Sequence, residues 1–160
     1  MHLGSTVEWL LTHPPAPMLV ARHGRHTRTA IVCHDGSVHA QAATASLCKM
    51  PWAKELTATV LTVEDGRTDV EGAVATATQS LQAAGANVNH YIARNGEPTL
   101  DLLAYLERHD ADLVVLGTKG LTGVRRLRIG STAGVIAHAA PHSVLLVCAD
   151  DPTEQATERR

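Results

Sequence analysis

The sequence predicts an α/β fold on an open parallel sheet with helices on both faces, and three observations carry that prediction. Short apolar runs alternate with helix-patterned segments five times, the pattern of a parallel sheet with right-handed crossovers. One run, Leu113 to Leu116, is uninterrupted and bounded by Asp112 and Gly117, as for a strand buried on both faces. A glycine-punctuated loop then leads into a Gly130-Ser131-Thr132 helix start.

The elements follow in order. Residues 23–28, HGRHTR, read as a polar basic linker. A β-rich run at 29–33 ends in His34-Asp35-Gly36-Ser37, which predicts a strand, a turn, and Ser37 capping a helix over 38–48. Residues 58–63 form a second buried strand on the same grounds. Over 69–84, Val70, Ala73, Val74, Ala77, Leu81 and Ala84 recur at helical spacing, with Gly85 as the stop. Residues 88–93 alternate imperfectly, as in an edge strand. Glu97-Pro98 opens a helix to His109, with Leu100, Leu103 and Leu106 near one face. After Gly130 come a short helix over 131–138, a last strand over 143–148 and a charged tail over 149–160.

The loop is where chemistry enters. The first N–H groups of a helix lack intrahelical partners and lie at the positive end of its dipole. Glycine at 130 admits an anion closely, and Ser131 and Thr132 add hydroxyl donors. A capped helix after a flexible loop is the bland alternative, and the preceding strand and the glycines at 117, 120 and 123 favour a ligand. Lys119, Arg125, Arg126 and Arg128 are available to phosphate or to solvent. Asp35 has two readings as well, a ligand carboxylate or an ordinary Asp-Gly turn.

Gly117-x2-Gly120-x9-Gly130-Ser131, flanked by ADLVVLG and HAAPHSVLLV, with AIVCHDGS upstream, resembles the signature of the universal stress protein family in its ATP-binding branch. The resemblance covers about residues 29–148. It implies a Rossmann-like fold, akin to adenine nucleotide alpha hydrolases, with five parallel strands in the order 3-2-1-4-5. In such a sheet ligands bind at the carboxyl ends where the strand order reverses, which puts Asp35 and Gly117 on one crevice. It further implies that Asp35 faces ribose or adenine, that Val63 offers backbone to the adenine edge, and that Leu116 and Gly117 flank the nucleoside. Gly120 belongs to the signature, and Gly130, Ser131 and Thr132 would hold phosphate. ATP, with or without Mg2+, is the implied cofactor. A homodimer through the last strand and a regulatory protein partner are implied too. Cys33-His34 before Asp35 departs from the family's smaller or apolar residues, and His34 is placed to crowd the pocket or to sense pH.

The first residues hold a repeat. GSTVEWLLTHPPAPMLVA resembles GSTAGVIAHAAPHSVLLV at an offset of 126 residues, with Gly4 matching Gly130 and Pro15 matching Pro141. In the light of the resemblance, residues 1–28 are a helix-strand remnant of a preceding tandem copy plus a linker, and 29–148 the domain proper. Met18 to Ala21 then either cover the last strand's edge within the chain or exchange with a neighbour.

Composition limits the rest. Only Trp9, Trp52, Tyr91 and Tyr105 are aromatic, which leaves no stacking platform for single-stranded nucleic acid, and a net charge of −2 gives no polyanion field. No apolar run reaches a membrane span of roughly 18 residues, and the N-terminus has no signal-peptide pattern. Cys33, Cys48 and Cys148 make an odd set with no zinc spacing, which predicts reduced thiols in a cytoplasm. There is no Walker loop, GxGxxG, GxSxG or HExxH. Pro141 separates His138 from His142, which speaks against a metal pair. No catalytic or metal residue is therefore assigned, and slow ATP hydrolysis is the most enzymatic expectation. The competing reading is a non-catalytic interaction module with a vestigial pocket or another adenylyl ligand. An adenylate-forming enzyme lacks a pyrophosphate motif here.

Overall fold

The computed structural model describes residues 9–10, 16–22, 24, 26–121 and 129–149. Its strands are β1 (Met18–Val20), β2 (Thr29–Cys33), β3 (Thr57–Val63), β4 (Asn87–Ala93), β5 (Leu113–Gly117) and β6 (Ser143–Val147). Its helices are α1 (Val38–Cys48), α2 (Val70–Ala83), α3 (Pro98–Arg108) and α4 (Ser131–Ala139). The sheet order is β1-β6-β5-β2-β3-β4. Strands β2 to β6 are mutually parallel and reproduce the expected 3-2-1-4-5 arrangement. The sheet has six strands rather than five, because β1 runs antiparallel along β6. An open β6 would present unpaired backbone groups and apolar side chains at an edge, and β1 covers both.

Alternation along each central strand divides the core. Ile31, Val114, Leu116, Val144 and Leu146 point to the face packed by Leu102, Leu106, Ile136 and Ala137 of α3 and α4. Val32, Val60, Val115 and Leu145 point to the other, against Ala43, Leu47, Ala77 and Leu81 of α1 and α2. Strands buried on both faces have no polar side to expose, which is why the 113–116 run is continuous. At the far edge, β4 is largely exposed.

The caps follow from sequence. Ser37 Oγ accepts from Ala40 N at 3.2 Å to start α1, and Asp69 accepts from Gly72 N to start α2. Gly85 ends α2 at a φ of +89°, a conformation costly for any residue with a Cβ. In α3 the expected stripe holds at buried Leu106 and half-buried Leu103 but not at Leu100. Leu100 is 65% exposed, while Leu102 and Leu106 are buried, one turn apart. Buried Asp101 fixes this rotation by accepting from Asn95 Nδ2 at 2.7 Å and Glu97 N at 3.3 Å.

Candidate functional site

From β2 the chain crosses to β3 and β4 on one side, while β5 and β6 lie on the other, so the order reverses between β2 and β5. At the carboxyl ends of those strands lies a cavity of about 260 Å³. Asp35, Val63, Leu116, Gly117, Gly120, Gly130, Ser131 and Thr132 all line it. Residues 82 positions apart in sequence therefore meet in one crevice, through parallel pairing of β2 with β5.

Asp35 bridges the two halves of the site. One oxygen accepts from Ser37 N at 3.0 Å, closing the turn after β2. The other accepts from Leu121 N at 3.0 Å, tying down the loop after β5. The turn and ligand readings of Asp35 are thus compatible, since a carboxylate has about four lone-pair sites. The tether explains Gly120, where a Cβ would stand 2.7 Å from Asp35 Oδ2.

Gly117 serves packing. A Cβ there would meet the His39 and Ala40 backbone at 2.6–2.8 Å, so glycine lets α1 approach the end of β5. Gly130 is the N-cap of α4 with extended backbone, and its N–H donates to the Thr118 carbonyl at 2.6 Å. No side chain caps α4, nor α3, in contrast to α1 and α2. Its first turn, Ser131 to Ala133, lines the cavity and is the natural seat for an anion. The Thr132 hydroxyl bonds Thr99 Oγ1 at 2.8 Å, joining the starts of α3 and α4.

Three further groups set the polarity. Lys119 is buried at 7% exposure in the cavity wall rather than solvated. Burial drives the His34 imidazole below its ordinary pKa against the opposing pull of Asp35, and its Nδ1 accepts from Gly36 N at 3.2 Å. Burial, then the Asp35 charge, pushes the Cys33 thiol up to about 12, which makes it an inert wall. His34 is therefore a neutral part of the wall near pH 7.

Some lining residues escaped the sequence reading. Thr118, 1% exposed, follows Gly117 directly, and its hydroxyl has no partner among the described residues. Asp65 and Thr68 also line the cavity, and their signal was position alone, just after the strand that ends at Val63. Arg125, Arg126, Arg128 and Gly123 lie outside the described residues. His138 and His142 serve separate backbone carbonyls, those of Gly134 and His109. Among the described residues no cluster of three metal-ligating side chains occurs, and no helix is long and apolar enough to cross a membrane.

Fold and cavity define an open α/β protein with a largely apolar crevice, edged by polar groups, at the point where its strand order reverses. A model of the universal stress protein family matches residues 26–147, and the chain belongs to that family. No curated protein sequence matches it. Among solved structures, a universal stress protein in complex with cAMP is similar at 24% identity, over 78% of this chain and 98% of that one, with a TM-score of 0.63. The universal stress protein from Archaeoglobus fulgidus in complex with dAMP is similar at 18% identity, over 76% and 98%, with a TM-score of 0.57. A universal stress protein from Pseudomonas aeruginosa, at 21% identity and a TM-score of 0.63, aligns over 98% of this chain and 61% of its own.

Proposed function

We propose that this protein is a cytoplasmic regulator of the stress response whose switch is occupancy of the crevice by ATP, with Mg2+ accompanying the phosphates. The observation that carries the reading is the start of α4, free of a side-chain cap, opening into a cavity that Asp35 also lines. Adenosine fits the apolar depth between Val63 and Leu116. Phosphates fit Gly130, Ser131 and Thr132, with Lys119 at hand. The cAMP and dAMP complexes of two similar proteins support an adenine nucleotide. Binding changes the surface offered by the loop between Gly117 and Gly130, and through it the choice of a protein partner. No group here is assigned as a base for hydrolysis. We also propose homodimerisation through β6, conditional on β1 leaving that edge. The domain proper spans residues 29–148, and residues 1–28 are the remnant of a preceding copy.

One observation favours a smaller ligand as the second reading. A cavity of about 260 Å³ lies just under the roughly 300–1,000 Å³ of drug-sized sites, so a nucleoside monophosphate fills it more fully than a triphosphate. Calorimetric titration of nucleotide-stripped protein with adenosine, AMP and magnesium-ATP tests both readings. The ATP reading predicts a Kd of about 1–100 μM, roughly 5–8 kcal/mol, and clearly weaker adenosine. Tighter AMP than ATP selects the second reading. Absence of heat with every nucleotide, from folded protein, contradicts both.

A further inference from the structure

One hydroxyl in the wall of the crevice is left without the bond that burial demands. Thr118 lines the cavity at 1% exposure, and its Oγ1 is buried with no hydrogen-bond partner among the described residues. Burying a hydroxyl unpaired costs its desolvation and returns nothing, whereas valine, of similar shape, would avoid that cost. An orphaned polar group of this kind calls for a reason, and its place in a ligand cavity supplies one.

The backbone fixes where Thr118 stands. Its N–H donates to the Val147 carbonyl at 2.9 Å, one step past the pairing of Gly117 with Val147. Its carbonyl accepts from Gly130 N at 2.6 Å, which holds it against the N-cap of α4. A Cβ at Gly130 would come within 3.3 Å of the Thr118 carbonyl oxygen, so the two backbones are in contact. Both backbone groups are thus committed. The Cα–Cβ torsion remains, and turning it moves the hydroxyl among staggered positions without disturbing either bond.

Position then selects the ligand chemistry. Thr118 follows Leu116 and Gly117 in the cavity wall and touches the start of α4, whose first N–H groups lie at the positive end of the helix dipole. An apolar wall on one side and an anion seat on the other meet at this residue. The part of a nucleotide that fits such a junction is the phosphate ester on the ribose, where the nucleoside joins its charged tail. A hydroxyl that donates to an ester oxygen there makes a charge-assisted bond, stronger than a neutral one.

We infer that Thr118 is a specificity-determining residue of the crevice, whose hydroxyl donates to the innermost phosphate of a bound adenine nucleotide. The site then separates nucleotides from nucleosides at the first phosphate, whatever follows it. This rests on the nucleotide reading above and adds the group that recognises the ester. The test is calorimetry of the full chain with adenosine, AMP and magnesium-ATP, for wild type, Thr118→Val and Thr118→Ser, with a thermal melt of each ligand-free protein. Thr118→Val is expected to weaken AMP and ATP alike by about tenfold and to leave adenosine within about twofold. Without ligand it melts about 2–4 °C above wild type, because the unpaired hydroxyl is gone. Thr118→Ser keeps the hydroxyl and with it the preference for AMP over adenosine. If the valine variant does not fold, Thr118→Ala reads the same loss of preference. A folded valine variant that melts below wild type shows that the hydroxyl already has a partner, and overturns the inference. Unchanged AMP affinity in that variant, beside a wild type that prefers AMP to adenosine, overturns the inference alone. A wild type that binds adenosine as tightly as AMP and ATP overturns the phosphate seat at α4 and the inference with it.

Discussion

Asp35 concentrates the site's architecture in one side chain, since its two oxygens hold the turn after β2 and the loop after β5 together. Asp35→Ala leaves two backbone N–H groups to find water, and is expected to cost about 1–3 kcal/mol in urea unfolding and to weaken nucleotide at least about tenfold. Asp35→Asn keeps an acceptor oxygen and is expected to recover part of the stability. Equal stability of wild type and the alanine variant would contradict the tether. Gly117→Ala forces a methyl group into the α1 backbone and is expected to destabilise by about 1–3 kcal/mol, as overpacking does. His34 adds a pH dependence with a definite sign. Its folded pKa lies below the unfolded value of 6.5, so the unfolded chain takes up a proton first as pH falls. The contribution is full above pH 6.5 and is lost on acidification toward the folded pKa. Thermal melts from pH 7.5 to 5 should therefore show a decline that His34→Gln reduces; parallel curves would exclude His34 as its source.

At the scale of elements, two helix starts carry side-chain caps and two, those of α3 and α4, carry none. Ser37 caps α1 and Asp69 caps α2, whereas α4 opens on Gly130 with no side-chain cap. Ser37→Ala is expected to lower stability by about 1 kcal/mol by the same urea measurement. The strands and most helix ends were legible because apolar runs, caps and Gly85 are local signals. The stripe of α3 was less so. Leu100, Leu103 and Leu106 recur at a spacing of three, yet the helix turns Leu102 and Leu106 inward, because the buried Asp101 carboxylate anchors to Asn95 and the Glu97 backbone. The anchor is local, six and four residues back in the chain, but a polar contact leaves no trace in an apolar periodicity. Lys119 was equally opaque, since a lysine in a glycine loop reads as solvated until the walls around it are known.

Across the whole molecule, parallel pairing of β2 with β5 brings Asp35 and Gly120 together, and the order 3-2-1-4-5 became readable through family resemblance rather than through composition. The eight candidate residues share one cavity for that reason. The antiparallel seat of β1 on β6 was foreshadowed by the repeat of residues 4–21, but in-chain covering and exchange with a neighbour are identical in sequence. Within the one chain described, β1 lies on its own β6. The central claim is that the start of α4 receives the phosphates of an adenine nucleotide. An amide-resolved NMR titration of ¹⁵N-labelled, nucleotide-stripped protein with magnesium-ATP tests it directly. The account predicts saturable shifts largest at Gly130, Ser131, Thr132 and Ala133, with adenosine moving residues near Val63 and Leu116 but leaving that helix start almost still. Shifts that saturate elsewhere while the start of α4 stays unmoved would contradict it.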